Sequence, residues 1–157
     1  MNLDGVNWKK LGLVADDRGC LTAIEGAHDV SFEIKRIFYM HDVVKGNDRG
    51  GHAHIDTDQL AVAVHGSVKI IVSDGRESRQ FLLDHPGWGL TLPRMTWTKL
   101  VEFSEGAVCL VLASTHYDRG KSIRTWDDYL AARGISAGPE PDPGSMLHHP
   151  DHLSHRS

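Results

Sequence analysis

The chain has 157 residues and a formal charge of −4, which suits one domain and argues against a protein built to grip phosphate backbones. With 40% hydrophobic and 24% charged residues it is no disordered chain, and its longest purely apolar run, 107–113, is far short of the roughly 20 residues of a spanning helix. Met1 to Lys10 hold no apolar stretch of the signal-peptide kind, and two cysteines, Cys20 and Cys109, are too few for a disulfide framework. A reduced, cytoplasmic setting is therefore expected, with neither membrane nor nucleic acid as partner.

Between Cys20 and Ala113 the sequence reads as short strands cut by turn signals. Leu21-Thr22-Ala23-Ile24 follows the turn at 16–19, and 34–42 is β-rich around Ile37, Phe38 and Tyr39. The stretch 60–64 stops at His65-Gly66-Ser67, and 68–72 ends at Ser73-Asp74-Gly75, a hairpin turn whose Gly accepts positive φ. Further segments at 80–83, 90–92, 96–103 and 107–113 are split by Pro86-Gly87, Pro93 and Ser104-Glu105-Gly106. Strands this short and this regular predict an all-β sandwich or small barrel. Ile123, Trp126 and Leu130 recur at helical spacing, with Ser122 or Thr125 to cap the start and Gly134 to stop it. The domain is expected to end there, at 1–134. Beyond it, 135–157 is rich in Pro and His (His148, His149, His152, His155) and is expected to be a loosely ordered tail.

The informative stretch is Arg49-Gly50-Gly51-His52-Ala53-His54, followed by Gln59 and Gly66. On a strand, residues i and i+2 share a face, so His52 and His54 point the same way. Two imidazoles facing an interior are costly to bury unless they are hydrogen-bonded or put to use. They could be a hydrogen-bonded pair at a barrel mouth, metal ligands, or an acid–base pair.

The spacing Gly46-x5-His52-x-His54-x4-Gln59-x6-Gly66 resembles the first motif of the cupin barrel, with Gln where metal cupins place Glu. In the second motif Gly87 and Pro93 fit, but Met95 stands where Gly is usual and Thr98 replaces the last His ligand. Two imidazoles and an amide are a poor set for a divalent ion. His52 and His54 are accordingly read as acid–base groups, with no metal and no cofactor, since imidazole titrates near neutrality.

The resemblance then narrows. Ser31-Phe32-Glu33-Ile34-Lys35-Arg36-Ile37-Phe38-Tyr39, the Arg49 to His54 run with Gln59, and Gly89-Leu90, Trp97, Val108 to Ser114, Tyr117, Ile123-Arg124 and Asp127-Asp128-Tyr129 resemble the sugar 3,4-ketoisomerases, over about residues 7–133. The resemblance implies a small cupin-type jelly roll that moves the carbonyl of dTDP-4-keto-6-deoxyglucose from C4 to C3 through an enediolate, for 3-amino-3,6-dideoxy sugars. It implies a homodimer with shared N-terminal strands. By family position His54 shuttles the carbon proton and His52 serves the oxygens. Tyr39 and Arg49 would bond the developing oxyanion, while Arg18, Arg36, Gln59 and Thr98 would bind substrate. A cupin-type sugar-nucleotide epimerase and a non-catalytic nucleotide-sugar-binding module are the alternatives.

Overall fold

Alternating residues become strands wherever Gly, Pro or Asp-rich turns interrupt the chain. The computed structural model describes residues 3–152. Its strands are β1 (Trp8–Lys10), β2 (Gly12–Asp16), β3 (Gly19–Ala23), β4 (Arg36–Met40), β5 (Arg49–His54), β6 (Gln59–His65) and β7 (Val68–Ser73). They continue with β8 (Ser78–Leu83), β9 (Trp88–Leu92), β10 (Trp97–Val101), β11 (Val108–Ala113), β12 (Ser122–Ile123) and β13 (Met146–His148). One α-helix, α1 (Trp126–Arg133), lies between the last two. Among the described residues the fold is all-β with a single α-helix, as the sequence predicts.

Two sheets face each other. One runs β1-β9-β6-β11-β4, the other β12-β5-β10-β7-β8-β13. Neighbours are antiparallel except β8 and β13. The core between them joins Ala61, Ala63, Leu90, Leu92, Cys109 and Val111 of the first sheet to Val68, Ile70, Val72, Phe81, Leu83 and Leu100 of the second. Each fully buried Val, Leu or Phe there contributes about 1.5–3 kcal/mol of transfer free energy. The first sheet is covered on its other side too, where Leu60, Val62 and Leu112 pack under Leu11, Val30, Phe32 and Ile34. That double burial is why β6 reads as a continuous apolar run rather than an alternating one. Cys20 is exposed and Cys109 buried, and neither forms a disulfide.

The helix is bounded as its caps dictate. Thr125 Oγ1 accepts from the Asp128 N–H at the start. Gly134, at φ 70°, closes the end by donating to the carbonyls of the last turn. Ile123 belongs to β12 rather than to the helix, yet it joins the same cluster, packing with Trp126 against Ala53, Trp97 and Tyr129. Tyr129 is fully buried, and its hydroxyl donates to the carbonyls of Met95 at 2.7 Å and Ser73 at 3.1 Å. The helix thus clamps the back of β5, whose opposite face carries the two histidines.

The segment after Gly134 differs from the expectation of a loose tail. Residues 135–152 run along the sandwich, and β13 pairs with β8 in the register Met146↔Gln80 to His148↔Leu82. Prolines remove ladder donors here, but side chains of the domain supply others. Trp97 Nε1 donates to Glu140 Oε1 at 2.9 Å and Trp126 Nε1 to the Gly138 carbonyl at 2.8 Å. Lys99 pairs with Glu140 at 2.5 Å, and the Gln80 amide donates to the Gly144 carbonyl. His155 lies outside the described residues.

Candidate active site

The strand that carries the histidines is set in place by glycines. Gly50 and Gly51 have φ of 88° and 75°, and a Cβ on Gly50 would meet the Thr98 carbonyl at 2.8 Å. Opposite them the β10 register shifts between Thr98 and Lys99, a bulge that re-aims the following residues. His52 and His54 emerge on one face, while Ala53 between them is buried against Trp97 and Tyr129. Met95, at φ 62°, adopts the left-handed conformation that explains the glycine usual in its place, and its N–H donates to the His54 carbonyl at 2.7 Å.

The two rings meet edge to face with Nε2 to Nε2 at 3.1 Å. They line a cavity of about 330 Å³ with Arg36, Phe38, Tyr117, Ser122 and Arg124. A larger concavity of about 500 Å³ elsewhere holds neither imidazole. Both titratable rings of the pair open into the smaller one.

Hydrogen bonds hold both rings in place. The two Nε2 atoms share one hydrogen bond, its donor set by the tautomer, and the Ser122 hydroxyl bonds His54 Nδ1 at 3.2 Å. Burial, then the Arg124 charge, holds His52 below the ordinary imidazole range, against the bond to Gly50. Burial first, then His52, Arg36 and Arg124, pushes His54 down to about 4, against the opposing charge of Asp56. Both rings are neutral at pH 7 and able to take a proton.

Arg36 stacks its guanidinium over Phe38 and Tyr117, at 5.4 and 5.5 Å from the ring centroids. Its Nε is buried with no hydrogen-bond partner among the described residues. A buried donor of that kind is satisfied when an anionic guest arrives. Two guanidiniums and no lining carboxylate make this pocket better suited to an anion than to a divalent cation.

The sequence-predicted residues divide. His52, His54 and Arg36 come together in the cavity. Thr98 is buried opposite His52 in the ladder, its hydroxyl donating to the Thr96 carbonyl at 3.3 Å; it stands beside the cavity rather than lining it. Four others do not line this cavity within the chain. Tyr39 is 60% exposed, because β4 turns Arg36 and Phe38 inward and therefore Ile37 and Tyr39 outward. Arg49 is exposed at the start of β5, before the glycine bulge. Arg18 sits at the tip of the β2–β3 hairpin, paired with Asp16 at 2.7 Å. Gln59 is buried at the start of β6 and lines the larger concavity instead. Sequence reasoning gave no site role to Ser122, Arg124 or Tyr117. Ser122 enters because β12 pairs it directly with His54. A strand of two residues leaves no periodic trace to detect.

A family model described as WxcM-like, C-terminal (FdtA) matches residues 4–134. The chain belongs to the FdtA family. Its resemblance to a TDP-4-oxo-6-deoxy-α-D-glucose 3,4-oxoisomerase of Aneurinibacillus thermoaerophilus is 37% identity over 124 residues, covering 79% of this chain and 87% of that one. Among solved structures, a His-to-Asn mutant of a 3,4-ketoisomerase from Thermoanaerobacterium thermosaccharolyticum, in complex with TDP-4-keto-6-deoxyglucose, superposes with a TM-score of 0.81 at 37% identity, over 83% of this chain and 95% of that one. A TDP-quinovose 3,4-ketoisomerase from Campylobacter jejuni gives 0.78 at 37% identity, over 82% and 98%. The family match thus spans β1 to β12 and α1, and 135–157 lies beyond it.

Proposed function

We propose that this protein is a 3,4-ketoisomerase acting on a TDP-linked 4-keto-6-deoxyhexose, with no metal or redox cofactor in the reaction. The observation that carries the proposal is the His52–His54 pair, held neutral in a cavity that also presents Arg36 and Arg124. Kinship with the oxoisomerase and ketoisomerases supports the same reading.

The C3–H of the substrate is acidified by the C4 carbonyl. His54 takes that proton, the electron pair moves toward O4, and an enediolate spans C3 and C4. His52 moves the hydroxyl proton from O3 to O4, and the imidazolium of His54 returns its proton to C4. The product is the 3-ketone; one carbon is oxidised as its neighbour is reduced, so no external oxidant enters. Arg36 and Arg124 face the developing oxyanion, where a positioned donor contributes about 3 kcal/mol in a water-poor site. In this reading they replace Tyr39 and Arg49. A carbonyl at C3 is what a following aminotransferase needs to install a 3-amino group.

The working unit in this proposal is a homodimer. Among the described residues the β2–β3 hairpin pairs with no other strand, and it leaves Leu13, Val14 and Leu21 exposed. Edge strand β4 likewise exposes Ile37 and Tyr39. Docking the hairpin of one copy on the β4 edge of the other covers both apolar sets, and carries Arg18 to the partner. Two free cysteines and a nucleotide-sugar substrate suit a reducing cytoplasmic setting.

The test is proton NMR of TDP-4-keto-6-deoxyglucose with the protein in deuterated buffer. The expected result is deuterium at the C3/C4 edge with a 3-keto product, reduced about 10²-fold or more in His54→Asn with folding intact. Exchange at C5 instead would mark an epimerase, and binding with no exchange would mark a non-catalytic module.

A further inference from the structure

The C-terminal histidines lie beyond the family match and outside the mechanism. β13 brings the chain back along β8, and the next residues return over Asp84, which follows β8 directly. His149 is buried to 2% side-chain exposure, stacked on Trp88 and edge-on to Trp8, both at 6.0 Å between centroids. His152 is 11% exposed and Asp84 26%.

These three side chains converge. His149 Nε2 is 3.0 Å from Asp84 Oδ1, and His152 Nδ1 is 3.3 Å from Asp84 Oδ2. One ligand atom from each lies within 4.8 Å of the others. Asp84 Oδ1 is nevertheless buried without accepting a hydrogen bond among the described residues. At 3.0 Å only the direction can fail, so the ring nitrogen approaches the carboxylate without aiming an N–H at it. Donor atoms placed edge to edge around a shared point behave this way. Bonds of about 2.0 Å in a tetrahedral zinc site put its ligand atoms about 3.3 Å apart. The Glu25, His28 and Asp29 group offers no such enclosure, since both Glu25 and His28 are exposed.

We propose that Asp84, His149 and His152 form a site for a divalent cation of the zinc class, two imidazoles and one carboxylate with a fourth position for water. The ion fastens the C-terminal segment to the end of β8. None of its ligands lines the His52–His54 cavity, so the role is structural and the site is independent of the isomerase reading.

The untagged full-length chain, freed of metal with a chelator, is titrated with zinc chloride by calorimetry and with Co²⁺ by visible absorption. One equivalent of zinc and an intense four-coordinate cobalt spectrum are expected. His149→Ala and Asp84→Asn should weaken zinc binding by about 100-fold or more, against the 10–100-fold typical of merely supporting groups. Asp84→Asn keeps the shape of a partly exposed side chain, and circular dichroism verifies its fold. His52→Asn should bind zinc as the wild type does. Absence of zinc binding in the wild type, unchanged binding in folded Asp84→Asn, or loss of binding in His52→Asn would each overturn the proposal.

Discussion

Lowering the pH tests the electrostatics of the pocket directly. His54 titrates at about 4 in the folded chain and near 6.5 when free in water. The folded state therefore binds fewer protons than the unfolded state between those values, and stability falls as the pH drops through that window. The contribution follows RT ln[(1 + 10^(6.5 − pH))/(1 + 10^(4 − pH))], which is near zero at pH 7.5. At pH 5 the bracket is about 30, so acidification over that interval costs about 2 kcal/mol. With a urea slope of about 2 kcal/mol per molar, the midpoint shifts by about 1 M. The assay is urea unfolding at both pH values and one fixed protein concentration, comparing wild type with His54→Asn. The wild type should lose about 2 kcal/mol more than the variant, since other groups titrate in both. Equal losses in the two proteins would refute the claim that burial and the neighbouring cations hold His54 neutral.

Two further outcomes follow from the same geometry. Arg124→Leu removes a guanidinium beside both histidines, so the apparent acid-side pKa of kcat/KM should rise toward the ordinary imidazole value while kcat falls about 10-fold or more; a pH–rate profile measures both. Tyr129→Phe removes the one hydroxyl hydrogen that the Met95 and Ser73 carbonyls share, and should cost about 1–3 kcal/mol in thermal or urea unfolding.

Much of the molecule was legible locally. Alternation and turn residues define most strands, Thr125 and Gly134 bound the helix by their capping chemistry, and the i, i+2 rule places His52 and His54 together. These features depend on residues a few positions apart, where sequence pattern and backbone geometry are tied. The same alternation is silent about which side is inside, so it could not tell that β4 keeps Arg36 and Phe38 in the cavity while Tyr39 faces out. Nor does it show that Ser122 bonds a histidine 68 residues earlier, or that a proline-rich end turns back to lay His149 between two tryptophans. Those contacts join remote segments, and their geometry exists only once both sheets have closed on a shared core.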